Sequence, residues 1–479
     1  MSDKIKPRLS KGLRDLLPEQ MLARQRMIDT IRGVYERYGF VPLHTPAIEY
    51  LDVLTGSDAG SEVQQSIFTV NNPEKEKLGL RFDLTVPLAR VVAQYRELPR
   101  PFRRYQVSPV WRADKPDKGR FREFTQFDLD SVGVVSEIAD TEIIAGMCDT
   151  LTALDVGPYE VRFSSRTLLN LLLSHANIPQ KQGADVFRVL DKLDKLGMKK
   201  VRLELTEGYT DKSGDPIKGL GIAAAQVDRI EQFLAIKSKN RKEVFTQLYE
   251  LFSDLKNAEE EIGAVEKISD QLYLLGYDND RAVFDLSVAR GLAYYTGPVF
   301  EAVLLDAPEF GSIFGGGRYD GLVMRFLGEK VPATGASIGV DRLLAALEHL
   351  GRFDKRKSTS RVLVTNMDPD LTDDCLAMTF ELRRAGIPSE MYLAGGRRFG
   401  KQIKYADAWG ISLCVLYGSD EKDRGVVTIK DMEVGREKAA HLDGRDQWLE
   451  ERPGQKEVAR EDLLKVVREM LDRIDAPRG

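Results

Sequence analysis

Cysteine is scarce: Cys148, Cys375 and Cys414 are the only three in 479 residues. They are far apart, odd in number and set among apolar residues, which argues against a disulfide framework, and no CxxC pair exists to start a zinc site. Histidine is almost as rare, with only four: His44, His175, His349 and His441. None has a triad partner nearby in the sequence, so imidazole-based catalysis is not the expectation. An excess of one charge is also missing: 70 Lys and Arg against 75 Asp and Glu give −5. A polyanionic partner must then be held by local basic patches. No apolar run reaches the ~18 residues that a membrane span needs. The opening Met-Ser-Asp-Lys-Ile-Lys-Pro has no signal-peptide core. A cytoplasmic protein without a membrane partner is expected. What is abundant is the balance of a globular chain, 42% hydrophobic and 30% charged, long enough for two to four domains.

Hydrophobic periodicity predicts an amphipathic helix over 18–38, with Met21, Met27, Ile28, Ile31 and Val34 on its stripe. Gly39 ends it, and Phe40-Val-Pro-Leu43 starts an extended segment that Pro46 keeps out of a helix. Residues 102–134 read as two strands joined by a polar loop. Residues 167–275 are mostly helical and highly charged, with a turn at Ser213-Gly-Asp-Pro216. Strands and Gly-rich turns return over 281–345, followed by a helix, and 351–360 reads as a linker. Beyond it, strands at 362–365, 390–393, 411–417 and 425–430 alternate with helices at 371–385, closed by Gly386, and 399–409. That alternation predicts a small α/β domain with a largely parallel sheet. A closing helix is expected over 461–474, and no internal repeat is present.

The hairpin at 102–134 is the most informative stretch. Period-two geometry puts Arg104, Gln106, Ser108, Val110 and Arg112 on one face of its first strand. On the second strand Arg122, Phe124, Gln126, Asp128 and Asp130 share a face. Cations, an amide and carboxylates side by side suit a substrate carrying both phosphate and ammonium. A solvated half-polar surface is the bland alternative. From 100 to 122 eight basic residues face two acidic ones, a local +6 that can attract polyanions.

Four shorter runs add candidates. In Arg290-Gly-Leu-Ala-Tyr-Tyr-Thr-Gly297, a strand end turns only one of Tyr294 and Tyr295 toward a pocket; core packing is the alternative. The three glycines of Phe314-Gly-Gly-Gly-Arg-Tyr-Asp-Gly321 let backbone approach a ligand, or form a flexible loop. At 335–347 a small-residue strand turns into an apolar helix. Arg342 falls in or near its first turn, against the macrodipole, which marks a functional candidate unless it pairs with an acid such as Asp341. In Arg81-Phe-Asp-Leu-Thr-Val-Pro87, Thr85 could cap the helix starting near Pro87, leaving Asp83 as a solvated strand carboxylate. Finally, 395–404 has four cations and no acid, with Lys401 and Lys404 on one helix face. It is either an RNA-contacting surface or a solvated helix start.

Taken in this order, the segments resemble the histidyl branch of the class II aminoacyl-tRNA synthetases over nearly the whole chain. Lys11-Gly-Leu-Arg-Asp-Leu-Leu-Pro18 is similar to that family's opening. The helix and extended segment ending at Pro46 resemble motif 1, Val110-Trp-Arg-Ala-Asp114 through Phe124 motif 2, and 335–347 motif 3. These three motifs are degenerate. The Arg290-Gly-Leu-x-Tyr-Tyr and Gly-Gly-Gly-Arg-Tyr-Asp-Gly runs are far more specific. Gly400-Lys-Gln-Ile-Lys-Tyr-Ala-Asp407 and Gly425-Val-Val-Thr-Ile-Lys-Asp431 resemble the family's anticodon-binding domain.

The resemblance implies an α+β fold: a six-stranded-type antiparallel catalytic sheet flanked by helices, with a helical insertion, plus a C-terminal α/β anticodon-binding domain. The expected divisions are 1–166 and 276–350 for the catalytic core, 167–275 for the insertion, 351–360 for the linker and 361–479 for the last domain. It implies a homodimer built on motif 1, and substrates L-histidine, ATP and tRNA. Mg2+ would bridge the ATP phosphates, with no protein side chain assigned as its ligand. Histidine would first be activated as histidyl-adenylate and then moved to a ribose hydroxyl at the tRNA 3′ end. Such chemistry needs positioning and charge stabilisation more than a covalent nucleophile.

By the family's pattern Arg112 holds the α-phosphate and the amino-acid carboxylate, and Arg290 reaches the α-phosphate from the opposite side. Arg120 and Arg342 take the outer phosphates, Phe124 and Arg342 sandwich the adenine, and Asp114 completes the ATP set. Asp83, Thr85 and Gln126 bind the ammonium. Asp130 reads the imidazole with Tyr295 rather than Tyr294, both tyrosines belonging to the histidine set. Lys118, Arg397, Arg398, Lys401 and Lys404 are the tRNA candidates. Three positions depart from the pattern: Ala293 stands where Asp is frequent, and Asp114 and Asp130 where Glu is common. A non-catalytic regulatory paralogue from histidine biosynthesis is the rival, but it typically lacks the domain that 361–440 resembles. A synthetase for another amino acid and a non-catalytic RNA-binding module are the remaining alternatives. The stretch 430–460, including Asp443-Gly-Arg-Asp446, carries no functional reading.

Overall fold

In the computed structural model, Met27, Ile28, Ile31, Val34 and Tyr35 are all buried along one face of Pro18–Arg37 (α1). Met21 of the predicted stripe is exposed. Gly39, at φ +77°, stops the helix in a conformation that side chains disfavour. The structure describes residues 5–56, 66–116, 119–211, 214–238, 240–289, 294–353, 356–393, 398–434 and 454–476. Arg290, Ala293, Lys118, Arg397 and the 443–446 run lie outside the described residues.

After Gly39 the chain extends as Val41–Pro42 (β1) and later forms the two long strands Phe102–Trp111 (β2) and Glu123–Val132 (β3). Their register sets Arg104 against Asp130, Gln106 against Asp128, Ser108 against Gln126 and Val110 against Phe124. These pairs share one face, as the period-two reading predicts. On the other face Phe127 packs edge-on to Tyr35 of α1 at 5.0 Å between ring centroids.

Five further strands complete the sheet: Tyr159–Ser165 (β4), Ala282–Phe284 (β5), Pro298–Leu304 (β6), Phe314–Arg318 (β7) and Ala333–Gly339 (β8). Among the described residues its order is β1-β2-β3-β8-β7-β6-β4-β5, eight strands. The inner six pair antiparallel throughout. The short edge strands β1 and β5 pair parallel. The expected six-stranded antiparallel sheet is therefore present, with a parallel strand added at each edge. The glycine run is not a loop: Gly315, Gly316 and Gly317 lie within β7, paired on both sides. Helices Thr85–Gln94 (α2), Glu137–Ala153 (α3) and Val340–His349 (α4) flank the sheet. Residues 166–274 are mainly helical around buried Phe187, Phe233, Phe245 and Phe252. Of the predicted turn at 213–216, Gly214 and Asp215 lie within a small hairpin, Gly208–Thr210 with Pro216–Lys218, and Ser213 lies outside the described residues.

The chain divides into two compact units, residues 1–15 with 24–353 and residues 16–23 with 354–479. The second unit has strands Val362–Val364 (β9), Ser389–Met391 (β10), Leu413–Leu416 (β11), Val426–Asp431 (β12) and Gln455–Ala459 (β13). Its helices are Thr372–Arg384 (α5), Phe399–Trp409 (α6) and Leu463–Asp475 (α7). The sheet order is β10-β9-β11-β12-β13. Among the described residues only β9 makes parallel pairs, to β10 and β11, and the other two pairings are antiparallel. The sheet is thus mixed rather than largely parallel, because β13 joins an edge and β12 returns beside β11. No helix among the described residues is long and apolar enough to cross a membrane.

Candidate active site

The polar face of the β2–β3 hairpin is not solvated. Arg104 is 0% exposed, Asp128 1% and Asp130 3%. Asp128 and Asp130 line the floor of a cavity of about 400 Å³, and Arg104 is ion-paired with them. Asp83, Thr85, Arg112, Asp114, Arg120, Phe124, Gln126, Asp130, Tyr294, Tyr295 and Arg342, all expected from the sequence, line it together. Of the amino-acid and ATP candidates only Arg290 is outside the described residues. None of the described histidines lines the cavity.

The segment 81–85 is pinned against the hairpin by Arg81, which is 1% exposed. Its guanidinium donates to the carbonyls of Thr45 at 2.6 Å, Pro46 at 3.1 Å and Pro109 at 3.0 Å. Trp111 N–H donates to the Arg81 carbonyl at 3.0 Å, and Arg112 Nε to that of Phe82 at 3.0 Å. Thr85 does not cap α2 but begins it. The capping acceptor is Asp83, whose Oδ1 takes the Val86 N–H at 3.0 Å. Asp83 is buried, not a solvated strand carboxylate.

Motif 3 resolves the placement of Arg342. Asp341 is occupied elsewhere: Oδ1 takes Arg14 at 2.9 Å and Oδ2 the Thr125 N–H at 2.6 Å. Arg14 belongs to the Lys11-Gly-Leu-Arg-Asp run and lies 3.7 Å from the Phe121 ring centroid. Arg342, in the first turn of α4, donates to the Ser312 carbonyl at 2.6 Å and lines the cavity. Arg112 sits 5.2 Å from the Phe124 ring centroid, a cation–π distance.

The tyrosine pair corrects the strand-end reading. β6 starts only at Pro298, so alternation does not govern Tyr294 and Tyr295, and both line the cavity. Their rings are 4.7 Å apart. Gly317 makes room for them: a Cβ there would stand 3.0 Å from the Tyr295 ring and 2.7 Å from the Pro298 carbonyl oxygen.

Four partners of the site were not assigned from the sequence. Tyr319 donates its hydroxyl to Asp130 Oδ1. Arg104 lies 2.9 Å from Asp130 Oδ2 and 3.7 Å from Asp128. The Ser337 hydroxyl accepts the Gln126 amide at 2.7 Å and hydrogen-bonds Asp128. Gln126 Oε1 and Asp128 Oδ1 are buried acceptors with no hydrogen-bond donor among the described residues. Arg104 and Asp128 stood on the correct face in the sequence pattern; their cross-strand neighbourhood was the available signal.

Burial raises the pKa of Asp83 above the ordinary carboxylate range, against the Val86 N–H, Arg112, Arg325 and Arg104. Burial also raises Asp128 and Asp130; Arg104 opposes both shifts, and Asp130 adds to that of Asp128. This floor is short of positive charge. Toward the open end of the hairpin the character reverses, with Arg112, Lys115, Arg120 and Arg342 on the lining. Six residues separate Asp130 from Phe124, roughly 20 Å along a strand. The cavity therefore offers acceptors to an ammonium or ring N–H at one end and cations to phosphates at the other.

In the second unit Arg398, Lys401 and Lys404 are exposed at the start of α6. Gln402 between them is fully buried, exchanging hydrogen bonds with the Asn366 backbone at 2.8 and 3.0 Å. This fixes the helix so that the lysines face outward.

An antiparallel sheet carrying an arginine-rich cavity, joined to a small α/β unit, defines a class II aminoacyl-tRNA synthetase. The family profile described as Histidyl-tRNA synthetase matches residues 12–343, and that described as Anticodon binding domain matches 361–470. The chain belongs to the histidyl-tRNA synthetase family. A histidine–tRNA ligase of Cereibacter sphaeroides is 44% identical, over 96% of this chain and 97% of its own. One from Brucella abortus is 40% identical over 98% and 97%. The crystal structure of histidyl-tRNA synthetase from Nostoc sp. PCC 7120 superposes with TM-score 0.81 at 31% identity, over 97% of this chain and 100% of that one. With full-length relatives of this kind, the regulatory-subunit alternative is not favoured.

Proposed function

We propose that the cavity of the first unit binds histidine at its acidic floor and ATP at its basic end, and joins them as histidyl-adenylate. The overall activity is ATP-dependent charging of tRNA with histidine. One observation carries the assignment of ends: Gln126 Oε1 and Asp128 Oδ1 are buried acceptors without a donor among the described residues, beside Asp130, in the same cavity that Arg112, Arg120 and Arg342 line. A substrate with an ammonium, a ring N–H and a carboxylate beside a triphosphate satisfies both ends.

In this reading Asp83, Thr85 and Gln126 hold the ammonium, and Asp130 with Tyr294 and Tyr295 reads the imidazole. A site that hydrogen-bonds the ring nitrogens rejects isosteres, because a wrong substrate leaves buried groups unpaired. Arg112 orients the carboxylate against the α-phosphate, and its charge offsets the negative charge that builds there. Arg290 is assigned the opposite side of the same phosphate on the strength of the Arg290-Gly-Leu run. Arg120 and Arg342 take the outer phosphates, Phe124 the adenine face, and Asp114 completes the ATP set. Mg2+ enters with ATP as part of the substrate, neutralising phosphate charge.

The catalytic core is assigned to 1–166 and 276–350, the helical insertion to 167–275, the linker to 351–360 and the anticodon-binding domain to 361–479. The exposed cations Arg398, Lys401 and Lys404, with Arg397 and Lys118, are assigned to tRNA. A cytoplasmic homodimer built on motif 1 belongs to the same reading. Val41, Ile48 and Tyr50, at 50%, 45% and 53% exposure, support it as apolar groups left open in and just after the motif 1 segment.

The test is amino-acid-dependent ATP–pyrophosphate exchange with each of the twenty amino acids. Exchange with histidine alone is expected. Exchange with a different amino acid overturns the pocket assignment, and none with any overturns the enzyme reading.

A further inference from the structure

The floor of the cavity holds one more carboxylate than the imidazole assignment uses. Asp128 is 1% exposed, lines the cavity, and its Oδ1 has no donor among the described residues. Asp130, two residues on, projects from the same face of β3. One guanidinium, Arg104, serves both, at 2.9 Å from Asp130 and 3.7 Å from Asp128. A third Arg104 contact reaches the Leu84 carbonyl at 3.1 Å, tying the pair to the segment that carries Asp83. Arg104 is itself fully buried, and its Nε and Nη1 find no acceptor among the described residues. Among the described residues two acids stand against one cation, which leaves this buried floor one positive charge short.

We propose that Asp128 is a second acidic reader of the substrate side chain: the imidazole is held as its doubly protonated cation between Asp128 and Asp130, with Arg104 as the positioning residue for both carboxylates. The inference rests on the assignment of histidine to this floor. An imidazolium carries two N–H donors and one charge. It supplies what the two carboxylates lack, and no neutral side chain of similar shape can. The other charged and titratable groups facing Asp128 are Asp83, Arg81, Tyr35 and Tyr319. None of these supplies the missing positive charge: Asp83 is itself an acid, Arg81 is spent on backbone carbonyls, Tyr319 donates to Asp130, and Tyr35 is a neutral phenol.

The test compares histidine with triazolylalanine, whose ring has a similar shape but takes up no second proton near neutral pH. ATP–pyrophosphate exchange is measured for the full chain and for Asp128→Asn, which keeps the shape and removes the charge. The expected result is a KM for histidine raised roughly tenfold or more, the worth of a charged hydrogen bond. The KM values for ATP and triazolylalanine should move less than about threefold. Arg104→Met should raise the histidine KM in the same selective way, and Arg104→Lys should recover part of it. Equal losses for both amino acids, or an unchanged histidine KM in Asp128→Asn, overturn the proposal.

If Asp128→Asn does not fold, the native chain decides. Its preference for histidine over triazolylalanine should fall as pH rises from about 6 to 8, through the ordinary imidazole pKa near 6.5. A flat preference overturns the proposal. Failure of the underlying assignment looks different: the native chain then shows no histidine-dependent exchange at all.

Discussion

Replacing Gly335 by alanine tests how tightly the floor of the site is built. Gly335 on β8 is paired directly with Asp130 on β3. A Cβ at that position would overlap Asp130 Oδ1, stand 2.5 Å from its Cγ and 2.6 Å from the Leu129 carbonyl oxygen. The carboxylate has no free direction in which to retreat, because Tyr319 donates to Oδ1 and Arg104 lies 2.9 Å from Oδ2. Overpacking of this kind costs about 1–3 kcal/mol. Turning Asp130 away forfeits a charged hydrogen bond worth about 1.5–3 kcal/mol to a ligand. At about 1.4 kcal/mol per factor of ten, the histidine KM of Gly335→Ala should rise roughly tenfold to a hundredfold. The ATP KM should stay within about threefold, since the phosphate end lies six residues along β3. The melting temperature should fall by roughly 2–6 °C, at about 2 °C per kcal/mol for a unit of this size. Exchange kinetics with histidine and ATP titrated separately, together with calorimetry, read both effects. A variant with native histidine KM and native melting temperature would refute the packing argument. Equal losses in both KM values would mean that the strands part rather than that Asp130 moves.

Arg290→Ala should cut adenylate formation by orders of magnitude while tRNA binding persists; near-normal exchange by the variant removes Arg290 from the mechanism. The raised pKa of Asp128 means that the folded state keeps a proton which the unfolded chain releases above its ordinary value near 3.9. Its contribution to stability is therefore fullest at acid pH and declines as pH rises from about 4 through the raised value. In substrate-free protein, Asp128→Asn should accordingly gain stability relative to the native chain over that window in urea unfolding; a constant difference contradicts the sign. Gln402→Ala should destabilise the second unit by about 1–3 kcal/mol, because it strands the Asn366 N–H and carbonyl. Histidine-dependent exchange should remain native while tRNA charging falls; an exchange defect would contradict the placement of the amino-acid site in the first unit.

Where side chains alternate in character, the sequence shows the fold directly. The β2–β3 hairpin was legible because a one-residue slip would carry Arg104, Asp128 and Asp130 to the face that Phe127 packs against Tyr35. Legibility fails where side chains say little. Gly315, Gly316 and Gly317 have none, so periodicity could not separate a strand from a loop; β6 and β8 on either side decide it. Gln455–Ala459 is an edge strand of mostly polar residues, and without an apolar alternation it left no trace.

The site divides along the same line. Arginines, tyrosines and acids that stand in recognisable runs were found, and every described member of the amino-acid and ATP sets lines one cavity. What escaped was what depends on contacts between runs. Tyr319 meets Asp130 across 189 residues of sequence. No local period can report such a pair. Arg104 differs: it lies opposite Asp130 in a register that the alternation had already implied. Reading cross-strand neighbours, rather than faces one strand at a time, would have placed a buried cation beneath two acids. Among the described residues, a deficit of one positive charge at the floor follows from that count, and it is the feature that an imidazolium would fill.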